Sequence, residues 1–125
     1  MKFRTISLET EISLMIERYS VGIDFGTLSA RAILVDTHSG REVFTSIYGY
    51  QDAVIDRSLP QSAEELPADY ALQNPADYIS AVKALLKDIT SNAGVSPEDI
   101  ISIGIDFTAC TVLPVDKNYK PLCMN

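Results

Sequence analysis

Short apolar runs separated by turn residues occupy the stretch from residue 19 to residue 50. Residues 19–24 form a β-prone run that predicts a buried strand ending at the carboxylate of Asp24. Residues 29–36 predict a second strand, and residues 42–50, rich in β-branched and aromatic side chains, predict a third. Residues 37–40 have turn chemistry. The pattern therefore predicts three strands in meander order.

A helix is predicted to begin after residue 74. Asn74 is suited to the N-cap, Pro75 to the first helical position, and Asp77 to the positive end of the helix dipole. Gly94 is a suitable C-terminal stop. Apolar residues at helical spacing predict one stripe that covers a sheet face: Tyr78, Ile79, Val82, Leu85, Leu86 and Ile89.

Beyond the helix the pattern predicts a capped turn at residues 96–99 and two further strands. Residues 100–106 predict a fourth strand, apolar enough to be central, and residues 111–115 predict a fifth that turns back at residues 116–118. The irregular segment 51–73 predicts a lid or rim of a binding site. We expect its isolated apolar residues to anchor it: Ile55, Leu59, Leu66, Tyr70 and Leu72.

Length and charge exclude several classes of protein. The 125 residues allow one domain, and no stretch approaches the roughly 20 apolar residues of a membrane span. Ten basic and seventeen acidic residues give a formal net charge of −7, so neither nucleic acid nor a membrane surface is an expected partner. Two cysteines make no disulfide framework and no signal peptide is visible, which predicts a cytoplasmic protein. Residues 1–14 are expected to be an extension outside the fold.

Candidate chemistry is concentrated where the first predicted strand ends. Gly26 allows a tight turn, and backbone amides with the hydroxyls of Thr27 and Ser29 can hold phosphate oxygens. Arg31 can neutralise the phosphate charge, and Asp24 suits Mg²⁺, which takes one or two carboxylates beside substrate phosphate. The alternative is a hairpin in which Gly26 and Thr27 serve only the turn.

The end of the fourth predicted strand offers a second candidate site. If the first and fourth strands are adjacent and parallel, Asp106 emerges beside Asp24 at the edge where ligands bind. The small and hydroxyl-bearing residues 108–111 would let a polar ligand approach the backbone. Asp106 is either a structural carboxylate that accepts backbone N–H groups or a group near metal or sugar. Cys110 fits a packed turn better than a nucleophile, because no histidine is expected nearby.

Residues 21–36 (Val-Gly-Ile-Asp-Phe-Gly-Thr-Leu-Ser-Ala-Arg-Ala-Ile-Leu-Val-Asp) resemble the first phosphate motif of the FGGY carbohydrate kinase family. The similarity extends over about residues 16–125, through five further segments: 55–60, 69–73, 75–79, 94–101 and 103–111. The resemblance implies an α/β fold, a ribonuclease-H-like amino-terminal domain of the actin, sugar kinase and heat-shock-protein superfold. Residues 15–125 would be the incomplete first part of that domain, in the order β-β-β-α-β.

Residues 107–110 (Phe-Thr-Ala-Cys) are similar to family members that phosphorylate L-ribulose, and they separate the chain from the glycerol and xylulose kinases. The resemblance implies transfer of the ATP γ-phosphoryl group to L-ribulose, giving L-ribulose 5-phosphate in L-arabinose catabolism, with Mg²⁺ required. Phosphate-binding residues would be Asp24, also near the metal, with Gly26, Thr27, Ser29 and Arg31. Sugar-binding residues would be Thr108, Ala109 and Cys110. These groups would orient ATP and sugar rather than do covalent chemistry.

The chain departs from this family in length. Family members are several times longer, and the sequence stops before their general-base aspartate and their second domain. This chain alone is therefore expected to be inactive, and its full-length parent is expected to be the kinase. The full-length parent could form a homo-oligomer. The alternatives are a non-catalytic truncated remnant, an actin-like or chaperone-type ATPase, and a ribonuclease-H-type nuclease. Residues 106–111 argue against the ATPase and the charge of −7 argues against the nuclease.

Overall fold

In a computed structural model, residues 17–59, 62 and 64–124 are described. They form four strands and one α-helix: β1 (Tyr19–Phe25), β2 (Ser29–Asp36), β3 (Glu42–Gly49), α1 (Pro75–Asn92) and β4 (Ile100–Phe107). Short 3-10 helices lie between α1 and β4, at Pro97–Asp99, and after β4, at Leu122–Met124. The predicted order β-β-β-α-β is confirmed. The expected extension at residues 1–14 lies outside the described residues.

The four strands form one mixed sheet in the order β3-β2-β1-β4. β2 is antiparallel to both β1 and β3, whereas β4 is parallel to β1. A parallel pair requires a crossover connection, and α1 lies on that connection. The carboxyl ends of β1 and β4 therefore meet at one edge of the sheet.

The core lies between one face of the sheet and α1. Alternate residues of β1 are buried, which is the period expected of a strand with one covered face. The buried cluster joins β1, β2 and α1 through these side chains: Val21, Ile23, Phe25, Ala30, Ala32, Leu34, Ala81, Leu85 and Ile89. One core therefore holds β1 and β2, and with them the carboxyl end of β1, in fixed relation to the helix.

The apolar stripe predicted for α1 is correct at Leu85 and Ile89 but wrong at Ile79, which is 56% exposed. Ala81 forms the buried ridge with Leu85 and Ile89, at spacings of four residues. Ile79 lies about 120° around the helix from the centre of that ridge, since each residue turns the helix by about 100°. Residue size misled the prediction, because the stripe leaves out the small Ala81, which is fully buried.

Both ends of α1 follow the predicted capping chemistry. The Asn74 side-chain oxygen accepts a hydrogen bond from the backbone N–H of Ala76 at 2.9 Å, and Pro75 is the first helical residue. The helix ends at Asn92, and Gly94 follows with a φ of +72°. This left-handed conformation favours glycine. The start of α1, which borders the candidate site, is thus fixed by local sequence.

The predicted fifth strand at residues 111–115 is wrong. Of residues 111–115, only Val115 makes a β-bridge, to Pro121. Cys110 has a φ of +65°, which turns the chain away from the direction of β4. Pro114 has no N–H to donate to a ladder. The predicted turn is present, because the Asp116 carboxylate accepts the backbone N–H groups of Asn118 and Lys120 at 2.8 and 2.9 Å.

β4 lies at the edge of the described sheet rather than at its centre. Its residues Ile103 and Ile105 stand in register with the buried Val21 and Ile23 of β1 and are 50% and 56% exposed. They are uncovered because α1 packs on β2 and β3. Within the described residues, no helix is both long and apolar enough to cross a membrane.

Candidate functional site

Asp24 and Asp106 lie side by side at the carboxyl edge of the sheet. The two residues are paired in the parallel register of β1 and β4. Beyond them, the Thr108 N–H donates to the Phe25 carbonyl at 3.0 Å, and the rings of Phe25 and Phe107 stack at 4.5 Å between centroids. The predicted juxtaposition of the two carboxylates is therefore confirmed.

The turn between β1 and β2, residues 26–29, is closed by its own backbone. The Gly26 N–H donates to the Ser29 carbonyl oxygen at 3.0 Å. A Cβ atom at position 26 would lie 3.1 Å from that same oxygen, tighter than ordinary van der Waals contact, so the close approach explains the glycine. Thr27 is exposed and Ser29 half-buried. The β1–β2 turn thus presents Thr27 to solvent beside Asp24.

Arg31 is the direct cross-strand partner of Asp24. Directly opposed residues in antiparallel strands have Cβ atoms about 5 Å apart, so the opposite charges of these exposed side chains are neighbours. A cationic and an anionic side chain therefore stand opposite each other on the strands that the β1–β2 turn connects.

An open cavity of about 1020 Å³ lies between the strand ends and segment 51–73. The three residues expected to bind sugar, Thr108, Ala109 and Cys110, all line it, and so does Thr27. Small-ligand sites commonly have volumes of roughly 300–1000 Å³, so this cavity is at the upper end of that range. The other phosphate-binding candidates are not among the lining residues: Asp24, Gly26, Ser29 and Arg31. Thr27 is therefore the phosphate-binding candidate that lines the same cavity as the three sugar-binding candidates.

The described part of segment 51–73 forms one wall of this cavity, in agreement with the predicted rim. Two isolated bridges cross it, Ile55 with Leu72 and Ser58 with Glu65. The expected apolar anchors are mostly not buried: Leu59 is 46% exposed and Leu72 36%. Leu59, Leu72 and Ile55 line the cavity, which is why they are accessible. Three of the five expected anchors therefore face the cavity rather than the core.

Polar contacts to Asp77 hold the start of segment 51–73 instead. Its buried carboxylate accepts the backbone N–H groups of Gln51, Asp52 and Ala53, each at 3.1 Å. Ala53 has a φ of +49°, a left-handed conformation that a non-glycine residue rarely adopts. The carboxylate therefore replaces an apolar anchor, and it stabilises a backbone turn at the cavity wall.

Two functional candidates on the cavity wall, Gln73 and Tyr78, were not predicted from the sequence. The Gln73 side-chain amide donates to the Thr27 carbonyl at 2.9 Å, and its oxygen accepts a hydrogen bond from the Tyr78 hydroxyl. Both residues line the cavity. The available signal was weak, since a glutamine just before a helix cap and a tyrosine on an apolar stripe are each explained by the helix alone.

The segment after β4 exposes small polar groups to the cavity. The Thr108 and Thr111 hydroxyls lie 3.2 Å apart, and Cys110 is an exposed free thiol. The Asp106 carboxylate accepts the N–H of Phe107 at 2.9 Å, which satisfies one of its oxygens as the structural alternative requires. Asp106 stays exposed although it makes this hydrogen bond, so its carboxylate can also contact a ligand.

A magnesium ion fits the donors at the strand ends. Among the residues that the structure describes, no cluster of three or more His, Cys, Asp or Glu side chains could hold a metal alone. Asp24 and Asp106 provide two neighbouring carboxylates, both exposed. Mg²⁺ typically takes one or two carboxylates and fills its other positions with water and substrate phosphate. The donor set therefore suits a metal that arrives with a nucleotide.

Tyr50 lies beneath the site, between the β1–β2 turn and α1. Its N–H donates to the Leu28 carbonyl at 3.1 Å, and its ring meets Tyr78 edge-on at 5.6 Å. Its hydroxyl is buried and has no hydrogen-bond partner among the described residues. Burial raises the Tyr50 pKa to about 12, with smaller contributions from the neighbouring Tyr78, Asp24 and Asp77. The phenol therefore stays neutral at physiological pH.

Comparison with known families gives a match over most of the described chain. The model of the amino-terminal domain of the FGGY family of carbohydrate kinases matches residues 19–124. A ribulokinase from Bacillus licheniformis is 50% identical over 97 residues, covering 78% of this chain and 18% of the relative. A ribulokinase from Shouchella clausii is 45% identical over 109 residues, covering 87% and 19%. The chain thus spans about a fifth of the length of these relatives.

Solved structures share the fold at lower identity. A gluconate kinase from Lactobacillus acidophilus superposes with a TM-score of 0.66 at 20% identity, covering 85% of this chain and 18% of that one. A xyloylose kinase from Brucella ovis gives 0.62 at 21% identity, covering 84% and 20%. These structural similarities show that this chain has part of the α/β fold of the two sugar kinases.

Proposed function

Because this chain belongs to the FGGY family of carbohydrate kinases, we propose that the protein carrying it transfers the γ-phosphoryl group of ATP to L-ribulose. The product would be L-ribulose 5-phosphate, an intermediate of L-arabinose catabolism, and the reaction would take place in the cytoplasm. One observation carries the proposal: Thr27 of the β1–β2 turn and the small residues Thr108, Ala109 and Cys110 line one cavity. The 50% identity to a protein named ribulokinase supports the choice of sugar.

The nucleotide side of the proposed site is formed by β1 and the β1–β2 turn. The hydroxyls of Thr27 and Ser29 would donate to phosphate oxygens, and Arg31 would neutralise their charge. Asp24, with Asp106 beside it, would hold Mg²⁺, which supplies charge neutralisation to the phosphates when bound. These residues orient the phosphates and do no covalent chemistry.

The sugar side is formed by the segment after β4. Ala109 and Cys110 carry short side chains, so that a ketopentose can approach the backbone of the cavity wall. The Thr108 hydroxyl, exposed to the cavity beside that of Thr111, can accept or donate a hydrogen bond to a sugar hydroxyl. A bulkier side chain at position 109 would fill space that the sugar needs.

The reaction is tested by measuring ADP release from the complete protein that carries this chain. ATP and Mg²⁺ are supplied with L-ribulose, D-xylulose, glycerol or gluconate in parallel. We expect kcat/KM for L-ribulose to exceed that for each other substrate by at least tenfold, about 1.4 kcal/mol of discrimination. Equal rates on all four, or no L-ribulose-dependent ADP release, would refute the assignment.

A matched pair of variants tests the location of the sugar. Ala109→Leu places three more carbon atoms into the cavity, whereas Ala68→Leu adds the same group at an exposed turn of segment 51–73. We expect Ala109→Leu to raise KM for the sugar at least tenfold and to leave KM for ATP within about twofold. Ala68→Leu should change neither. An unchanged sugar KM in Ala109→Leu would place the sugar elsewhere.

A further inference from the structure

Gln73 joins the two halves of the site with one side chain. It is the last residue before the Asn74 cap of α1, and its carboxamide nitrogen donates to the Thr27 carbonyl at 2.9 Å, across 46 residues of chain. Its carboxamide oxygen accepts the Tyr78 hydroxyl. The donor and the acceptor of the amide are thus directed at different elements, the β1–β2 turn and α1.

The Tyr78 end of this bridge is firmly held. The ring of Tyr78 meets Phe25 edge-on at 5.6 Å, Phe107 at 5.9 Å and Tyr50 at 5.6 Å. Phe25 and Phe107 are the last residues of β1 and β4. Since edge-to-face aromatic contacts at these distances are favourable, Tyr78 is fixed relative to both strand ends. Gln73 is consequently oriented by a group that the sheet itself positions.

The Thr27 end lies on an exposed turn. In the described part of the chain, backbone hydrogen bonds hold this turn on either side of Thr27, from the Gly26 N–H to the Ser29 carbonyl and from the Tyr50 N–H to the Leu28 carbonyl. The Thr27 carbonyl is held by Gln73. Thr27, Gln73 and Tyr78 all line the cavity that also contains Thr108 and Cys110. A ligand in the cavity and a phosphate on the turn would therefore both depend on Gln73.

We propose that Gln73 is a positioning residue that fixes the β1–β2 turn relative to the sugar cavity, through its hydrogen bond to the Thr27 carbonyl. This inference rests on the proposed phosphoryl transfer, in which the turn carries the phosphates and the cavity carries the sugar. Phosphoryl transfer depends on alignment of the two reactants, so a turn that shifts lowers kcat more than it weakens sugar binding. Gln73 itself donates to no reacting atom in this scheme.

Gln73→Glu is the sharpest variant. Glutamate keeps the size of glutamine and the oxygen that accepts the Tyr78 hydroxyl, but it has no N–H for the Thr27 carbonyl. Gln73→Met removes both polar groups without adding a charge, which covers the case in which the glutamate variant folds poorly. Asn118→Asp makes the same amide-to-acid change at an exposed turn residue that does not line the cavity, and it serves as the control.

Two measurements on the complete protein test the proposal. In steady-state kinetics, we expect both Gln73 variants to lower kcat by about three- to tenfold, the usual range for one lost hydrogen bond, with KM for the sugar changed less than twofold. In hydrogen–deuterium exchange, amides of residues 27–29 should exchange at least threefold faster in both variants, while those of α1 are unchanged. Asn118→Asp should match the unsubstituted protein in both.

The outcomes separate this proposal from the proposed function. If the unsubstituted protein shows no L-ribulose-dependent activity, the proposed function fails, and faster exchange confined to residues 27–29 still supports the positioning role. Unchanged exchange at those residues in both variants overturns the positioning role whatever the activity. Faster exchange spread evenly over the turn, α1 and the sheet also overturns it, because Gln73 would then serve the fold in general.

Discussion

Replacing Asp77 should loosen the cavity wall without unfolding the sheet. The carboxylate accepts three backbone N–H groups of segment 51–73, from Gln51, Asp52 and Ala53, each at 3.1 Å. It is buried in the first turn of α1, where the helix dipole also favours a negative charge. Asp77 lies 24 to 26 residues from these amides along the chain, so the hydrogen bonds join two separate segments. Loss of these hydrogen bonds should therefore affect the cavity wall first.

The size of the effect follows from the number of bonds. The three acceptor contacts are long and one of the amides lies on an exposed residue, so about 1 kcal/mol each is a reasonable value. Asp77→Ala then destabilises the closed wall by about 3 kcal/mol, or roughly 150-fold in its opening equilibrium. Asp77→Asn keeps one acceptor oxygen and should cost about half as much. Ala53 can leave its left-handed conformation once the bonds are lost.

Native-state hydrogen exchange of the complete protein measures this opening directly. We expect the amides of residues 51–53 to exchange roughly 100-fold faster in Asp77→Ala, against a smaller change in the amides of residues 85–92 of α1. Asp56→Ala, which removes an exposed carboxylate from the same segment, is the matched control and should exchange at the original rate. An acceleration below about threefold at residues 51–53 would refute the anchoring role of Asp77.

Three further substitutions have defined outcomes. Asp24→Asn removes one of the two carboxylates at the strand ends, so the Mg²⁺ concentration for half-maximal kinase rate should rise by about tenfold; an unchanged metal titration contradicts the assignment. Hydrogen bonds from the Ser46 hydroxyl and, to a smaller extent, from Asn92 lower the pKa of Asp88 from its ordinary value. This contribution to stability is present above the pKa of Asp88 in the unfolded chain, and it is lost as the pH falls through the pKa in the folded protein. Ser46→Ala should therefore begin acid unfolding at a higher pH, measured by circular dichroism, and an unshifted midpoint would count against the contact. Tyr50→Phe removes a buried hydroxyl that has no partner among the described residues, so the melting temperature should stay equal or rise; a fall of more than about 3 °C would show that the hydroxyl is bonded.

Local chemistry predicts the elements of this fold well. The starts of β2 and α1 agree with the sequence, because turn residues and the Asn74-Pro75 cap act within a few positions of one another. The pairing of Asp24 with Asp106 is also predictable, since it follows from the handedness rule for a parallel crossover. These are features that hydrophobic period and topology determine.

Features that depend on distant partners are the ones the sequence does not reveal. Asp77 has the sequence signature of a helix-dipole residue, yet its carboxylate serves amides 24 to 26 residues away. Gln73 likewise acts on Thr27. The false fifth strand has the converse cause: residues 111–113 have strand composition, but a strand needs a neighbour, and Cys110 turns the chain away from β4.

The two halves of the site differ in how firmly the fold supports them. Asp24 and Arg31 lie on β1 and β2, whose opposite faces are in the core, and Asp106 lies on β4, which pairs with β1. Moving these residues therefore requires the sheet to move. The cavity wall of segment 51–73 is held by two isolated bridges and the Asp77 contacts, and such regions open at a lower free energy than the core. Destabilising substitutions spread over the protein should therefore raise the sugar KM before they alter the metal dependence. Gln73, at the junction of the wall with α1, is the position where a single change reaches both the wall and the β1–β2 turn.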